Sequence, residues 1–255
     1  AEFEFGVRIG DHFKEPVLLI KTAWGGHSLY KNFRSPSAGL PPAEVLEKEW
    51  NDAKDRVRRE NEKNKRNDPL PTLDEIKEEY GATYREMLAE IRRVIDLRGE
   101  LFPQLADLQP EFAGFVWFQG WNDQYGGAEK EYAANLQHFI RDVRRDLGAP
   151  KLPFVIAAMG QNGSKPPEGA MRVIRDAQLA MNDVPEFKGN VKAFRTDLLV
   201  DKDAEDLFPT WKENKELWDK TGGDFPYHYL GSPIWFTRIG KAMSDAMLEL
   251  LQDAK

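Results

Sequence analysis

The stretch Phe115-Val116-Trp117-Phe118-Gln119-Gly120-Trp121-Asn122-Asp123 decides the fold of this chain. Its first four residues form an uninterrupted apolar run, which is typical of a strand buried on both faces in a parallel sheet. The run ends in a polar stretch that contains a glycine, which predicts that the chain leaves the sheet there. Because ligands bind at the carboxyl ends of the strands in such sheets, the same stretch also predicts where the site lies.

Three further apolar runs have the same character, and helical patterns alternate with them. The runs are residues 17–20, 153–158 and 191–196. Amphipathic or helix-like patterns cover residues 2–13, 128–147, 168–182 and 233–251. Strand alternating with helix several times over predicts an α/β fold, a parallel sheet with helices on both faces.

Residues 43–98 are dense in charged side chains, with apolar residues at three- and four-residue intervals. This pattern predicts two long amphipathic helices separated near residues 69–71, with Thr72 capping the second. A docking surface is one interpretation of the charge, and a solvated helix face is the favoured one. We interpret the segment as a charged helical insertion into a single domain that spans residues 1–255.

Composition narrows the possible functions. The chain has 255 residues, of which 41% are hydrophobic, enough for one sizeable core. A formal net charge of -7 argues against nucleic acid as a partner. No apolar stretch approaches the length of about 18 residues that is typical of a membrane span. The sequence contains no cysteine, which excludes disulfides, thiolate metal sites and cysteine nucleophiles.

Candidate catalytic side chains fall at the predicted strand ends and in one late loop. His228 lies in a loop rich in glycine and proline, residues 222–232, just before the last helix. Such a loop can display a working side chain, and histidine serves as a general base near neutral pH. Gly26 and Asn122 follow predicted strands, where a backbone N–H and a side-chain amide can stabilise an oxyanion. The alternative for each is an ordinary turn or a helix cap.

Taken together, these segments resemble the SGNH hydrolases, in particular the sialate O-acetylesterase-like carbohydrate acetylesterases. Residues 20–29 resemble the block with the oxyanion glycine, and residues 120–123 match the Gly-x-Asn-Asp block. Residues 116–120 resemble the subgroup's apolar-Trp-aromatic-Gln-Gly strand, although Trp121 stands where a Glu is usual. His228, with residues 229–232 and 238–240, resembles the last block and its catalytic histidine.

The resemblance implies a flavodoxin-like three-layer α/β/α sandwich and an esterase that removes acetyl groups from sugars through an acyl-serine intermediate. It implies that Gly26 and Asn122 hold the oxyanion while His228 shuttles the proton. Asp224 is the candidate triad acid, although the family places its Asp one residue later, where this chain has Phe225. The candidate substrate-binding residues are Trp24, Gly25, His27, Gln119 and Trp121. Tyr227 and Trp235 are further candidates for stacking on sugar rings, or for the core.

No metal or other cofactor is expected, because the histidines and carboxylates lack a ligand-type spacing such as H-E-x-x-H. An acetylated carbohydrate is the expected partner, and a secreted or periplasmic location is implied by the resemblance alone. Two other functions stay open. One is a non-catalytic carbohydrate-binding protein on a decayed hydrolase fold, and the other is a lipid esterase of the same superfamily, which the acidic charge disfavours.

The family's nucleophile block has no counterpart in the sequence. Residues 2–6 resemble the tail of the Gly-Pro-Glu-x-x-Phe-Gly stretch that follows this block in the family. We therefore expect the first strand and the nucleophilic serine to lie upstream of this chain. Ser28 and Ser232 are the alternative nucleophiles, but Ser28 is expected to cap or line the pocket and Ser232 to cap the final helix.

Overall fold

A computed structural model describes residues 1–253 and confirms the α/β fold. Its sheet contains β1 (Phe115–Trp117), β2 (Phe154–Ala158) and β3 (Val191–Arg195) in the order β1-β2-β3, all parallel. Phe154 is the register partner of both Phe115 and Val191. All five residues of β2 are buried, as expected for the middle strand between two helical layers.

Helices cover both faces of this sheet. In chain order, the α-helices of the described residues are α1 (Glu2–His12), α2 (Ala43–Asn64), α3 (Leu73–Glu79), α4 (Ala82–Asp96), α5 (Arg98–Leu101), α6 (Tyr132–Asp146), α7 (Gly169–Leu179), α8 (Lys202–Leu207), α9 (Lys215–Thr221) and α10 (Pro233–Asp253). Helices α1 and α10 pack together on one face, and α6 and α7 cover the other. No described helix has the length and apolar character needed to cross a membrane.

The prediction of a strand at residues 17–20 is wrong. The segment is not a strand in the described structure, and Val17 and Leu19 are 39% and 45% exposed. Ile20 and Trp24 still pack against the main core, whereas Leu19 lies beside Gly6 of α1. The apolar run therefore reflects packing against two neighbours, but strand formation also needs a hydrogen-bonded partner, which the run itself cannot reveal.

The charged segment differs in part from the prediction. Thr72 caps α3 as expected, and Glu75 completes a capping box by accepting from the Thr72 N–H at 2.6 Å. The second predicted helix is instead two helices, because Gly81 adopts a left-handed conformation (φ 72°) between α3 and α4. Helix α4 contributes Tyr84 and Met87 to the same core cluster as β1, so this part of the segment is integral to the core. That α2 belongs to an insertion into the domain stays a prediction.

Candidate active site

Four loops supply most of the lining of a cleft of about 310 Å³, which is at the lower end of the range of about 300–1,000 Å³ typical of ligand pockets. They are the loop before α2, the loop that leaves β1, the loop that follows β2 and the loop before α10. Two predicted site residues, Gly25 and Asp224, do not line the cleft. The predicted site residues that line it are Trp24, Gly26, His27, Gln119, Trp121, Asn122 and His228.

Gly120 makes the exit from β1 possible. Its φ of 154° is rare for residues with a side chain, and a Cβ at this position would lie 3.2 Å from both Gln178 and Ile174. The chain then enters a short 3₁₀ helix, Trp121–Gln124, which carries Asn122 to the cleft. The close approach of α7 therefore favours a glycine here in addition to the turn.

Gly26 and Asn122 lie side by side at the cleft, as the two candidate oxyanion donors must. The Asn122 side-chain amide donates one hydrogen bond to the Gly26 carbonyl, and a carboxamide carries a second N–H. The Gly26 backbone is left-handed (φ 77°), and its N–H bonds to no described residue. Two donors are thus free at neighbouring positions on the cleft wall.

Asp123 connects the two segments that carry these donors. It is fully buried, and its carboxylate accepts hydrogen bonds from the Leu29 N–H (2.8 Å), the Tyr30 N–H (2.8 Å) and Gln119 Nε2 (2.7 Å). Burial raises the pKa of Asp123, while the three donors act in the opposite direction. The sequence did not indicate these hydrogen-bond partners, because Leu29 and Tyr30 are distant from Asp123 in the chain.

Gln119, His27 and Trp24 form the adjoining wall. Gln119 uses its whole carboxamide within the protein: Nε2 also donates to the His27 carbonyl at 3.0 Å, and Oε1 accepts from Tyr132 Oη at 3.0 Å. His27 Nδ1 is 2.7 Å from Thr83 Oγ1 on α4, and its ring is nearly parallel to that of Trp24. The charged segment therefore reaches the cleft wall through α4.

His228 and Asp224 form a hydrogen-bonded pair, with Nδ1 and Oδ2 2.8 Å apart. The Phe225 N–H donates to Asp224 Oδ1 at 2.7 Å, and this bond, followed by the His228 ring, holds the pKa of Asp224 below its usual range. Asp224 is therefore ionised at neutral pH and favours an Nδ1–H tautomer, which leaves Nε2 free to accept a proton. Because the His228 side chain is 62% exposed, a reacting group can approach it.

Tyr229 anchors the His228 loop to the sheet, a role that the sequence did not indicate. Tyr229 and Leu230 both have left-handed backbones (φ 54° and 59°), which is costly for residues with side chains. The buried Tyr229 hydroxyl accepts from the Gly160 N–H at 3.3 Å and bonds Thr196 Oγ1 at 3.2 Å. Thr196 Oγ1 in turn donates to the Ala158 carbonyl at the end of β2. Burial of this tyrosine stabilises the strained loop and thereby positions His228.

Replacing Tyr229 with Phe is expected to lower the free energy of unfolding by about 1–3 kcal/mol, because two buried polar groups lose a partner. Urea unfolding measures the loss, and amide hydrogen exchange should show faster exchange in residues 224–232. Tyr125→Phe is the matched control, since Tyr125 is 62% exposed. Equal stability of the Tyr229 and Tyr125 variants would contradict the anchoring role.

Neither alternative nucleophile is placed for catalysis. Ser232 is fully buried, where it accepts from the Trp235 N–H at 3.1 Å and donates to Asp201, so it caps α10 as predicted. Ser28 Oγ accepts from the Lys31 N–H at 3.1 Å within its own turn. Among residues 1–253, no serine or threonine lines the cleft. Among the side chains of residues 1–252, no three or more of His, Asp or Glu cluster as metal ligands would.

Sequence comparison places the chain in a family. The family model described as "Carbohydrate esterase, sialic acid-specific acetylesterase" matches residues 72–205. The match covers helices α3 and α4, all three strands and Asn122, whereas Gly26 and His228 lie outside it. No curated protein and no solved structure is detectably similar to the chain. Because the family match covers more than half of the residues, the chain belongs to the carbohydrate esterase, sialic acid-specific acetylesterase family.

Proposed function

We propose that the protein hydrolyses acetyl esters on a sugar through a serine acyl-enzyme, with the serine supplied from outside these 255 residues. The observation that carries this proposal is that His228, which is hydrogen-bonded to Asp224, lines the same cleft as Asn122 and Gly26. A base and adjacent oxyanion donors are what acyl transfer requires besides a nucleophile.

In the proposed reaction, His228 Nε2 takes the proton of the serine hydroxyl as the oxygen attacks the acetyl carbonyl. The carbonyl oxygen gains negative charge, which the Gly26 N–H and Asn122 Nδ2–H stabilise. Collapse breaks the bond to the sugar oxygen, which leaves with the proton from His228. Water then attacks the acetyl-serine with His228 again as base, and the products are acetate and free serine. Asp224 stabilises the imidazolium in both halves.

We propose that the serine lies at the end of an additional strand that pairs with the free edge of β1. Among the described residues, β1 pairs only with β2, and residues 17–20 have no strand partner. Both segments therefore expose backbone donors and acceptors, and one more strand would satisfy them. Such a strand, parallel to β1, would end at the same edge of the sheet as the Asn122 loop.

Gln161 is the residue that we propose contacts the substrate from the cleft floor. It follows β2 and lines the cleft, and its Oε1 is buried with no hydrogen-bond partner among the described residues. An unpaired buried acceptor costs about 1–3 kcal/mol, so a donor from the substrate would stabilise this site. A sugar hydroxyl is such a donor, in keeping with the carbohydrate esterase family.

Labelling with a fluorophosphonate tests the proposed mechanism, since this reagent reacts with activated serines. The protein in its longest natural form is treated, digested and mapped by mass spectrometry. We expect one labelled serine, preceding Ala1 in the sequence, and an at least 100-fold slower labelling in the His228→Ala variant, in line with the contribution of about 10²–10⁴ from a general base.

Other outcomes would point elsewhere. Label on Ser28 or Ser232 would contradict the assignment of the nucleophile. No label, together with no release of acetate from acetylated sugars, would favour a non-catalytic carbohydrate-binding protein. A rate that rises with acyl-chain length would favour a lipid esterase, because the acetyl specificity proposed here requires the shortest chain to react fastest.

A further inference from the structure

A row of four aromatic side chains leads out of the cleft along the protein surface. Trp121 and Tyr227 line the cleft, with ring centroids 5.8 Å apart. Phe225 follows Tyr227 at 5.6 Å with its plane only 10° away, and Trp211 follows Phe225 at 6.3 Å. Phe225 and Trp211 do not line the cleft. The aromatic row (Trp121, Tyr227, Phe225 and Trp211) therefore begins inside the site and continues beyond it.

The aromatic row is open to solvent although its members are large and apolar. Phe225 is 46% exposed and Tyr227 is 41% exposed, and both tryptophans are partly exposed. Centroids 5.6 Å apart with nearly parallel planes indicate an offset stack, which leaves part of each ring face uncovered. Contiguous exposed apolar surface of this kind indicates a binding site.

The aromatic row packs against further aromatic side chains of the protein. Phe208 meets the edge of Phe225 at 6.3 Å and contacts Trp218 at 5.6 Å, and Trp218 is 97% buried, with a relative exposure of 3%. Phe208 directly follows α8 and Trp218 lies on α9, and both belong to the same apolar cluster as Tyr229. The rings are thus held in position before any ligand binds, which reduces the entropy lost on binding.

We propose that the aromatic row binds successive sugar rings of a glycan chain whose acetylated residue occupies the cleft. The proposal rests on the proposed function and deepens it by assigning an oligosaccharide or polysaccharide, and not a single sugar, as the substrate. An aromatic face is apolar and carries negative partial charge, which suits the C–H groups on the face of a sugar ring. The aromatic row is continuous with the cleft, so a single glycan chain fills the cleft and extends along the row. This continuity favours a glycan over an unrelated protein partner.

Calorimetric titration with sugars that carry no O-acetyl ester tests this inference. The probes are xylohexaose, chitohexaose and a hexamer of α-2,8-linked sialic acid, each compared with its monosaccharide. We expect at least one hexamer to bind 10-fold or more tightly than its monosaccharide, which corresponds to about 1.4 kcal/mol. Trp211→Ala and Phe225→Ala should each remove most of this gain, and Phe225→Tyr should retain it.

Phe112→Ala is the matched control. Phe112 is also exposed, at 37%, but it precedes β1 and so lies toward the opposite edge of the sheet. Equal affinity for hexamers and monosaccharides, or a gain that survives both Trp211→Ala and Phe225→Ala, would overturn the proposal. Thermal unfolding of each variant identifies a fold defect. Because Trp211 and Phe225 lie at different points of the row, one variant still tests the proposal if the other does not fold. Because binding needs no turnover, this proposal and the esterase mechanism can fail independently.

Discussion

Replacing His228 with Ala is expected to lower kcat for acetyl ester hydrolysis by about 10²–10⁴-fold, the usual contribution of a general base. The reason is that Nε2 is free to accept a proton, since Nδ1 bonds the ionised Asp224 at 2.8 Å. The assay uses p-nitrophenyl acetate and the protein form that carries the nucleophile. With this activated ester the leaving group needs no proton, so the loss reports the role of His228 as a base.

His138→Ala is the matched control for this prediction. His138 also bonds a neighbouring side chain, with Nδ1 2.8 Å from Ser37 Oγ, but it lies on α6 and does not line the cleft. We expect its kcat to equal that of the unmodified protein. Equal rates for the His228→Ala variant and the unmodified protein would show that another group acts as the base.

Replacing Asp123 with Asn is expected to lower the free energy of unfolding by about 3 kcal/mol, because a buried amide N–H would face a backbone N–H. The carboxylate accepts from Tyr30 at one oxygen and from Leu29 and Gln119 at the other. The amide of an asparagine would therefore face the Tyr30 N–H in one orientation, and the Leu29 N–H and Gln119 Nε2 in the other. The Gly26 segment should also loosen, since it adjoins the anchored residues. Urea unfolding measures the first effect, and hydrogen exchange of residues 24–30 measures the second.

The control for this variant is Asp107→Asn, because Asp107 is exposed and makes no hydrogen bond to a described residue. Its stability should change by no more than about 0.5 kcal/mol, as is usual for surface substitutions. A loss of similar size in both variants would mean that the three hydrogen bonds of Asp123 do not hold the cleft wall together.

The main elements of the fold follow from local sequence patterns. The strands at 115–118, 153–158 and 191–196 were predicted to within one residue at each end, and α1, α6, α7 and α10 were predicted in place with differences at their ends. Hydrophobic periodicity is a local property of the sequence, so it predicts these elements without knowledge of the segments that pack against them. It failed at residues 17–20, because a continuous apolar run reports burial but cannot report whether a strand partner exists.

Candidate site residues were predictable where they follow a strand or stand in a glycine-rich loop, as Asn122, Gly26 and His228 do. The rule that the strands of a parallel sheet end at one edge accounts for Asn122 alone, because Gly26 follows no described strand and His228 precedes a helix. The placement of Asp224 beside His228 was only a candidate, because it depends on the turn between them, which the His228 N–H closes by donating to the Phe225 carbonyl at 3.0 Å. The resemblance places the acid one residue later, where this chain has Phe225, so it could not show that Asp224 takes that role.

The sequence by itself determined the α/β class, the family and the loops that carry the candidate catalytic side chains. Only the tertiary structure decided what holds those loops, because the contacts join residues far apart in the chain. Asp123 bonds Leu29 across 94 positions, Tyr229 bonds Gly160 across 69, and Trp211 joins the row through Phe225. Such contacts leave no periodic trace in the sequence, since each depends on the packing of whole elements and not on the spacing of neighbouring residues.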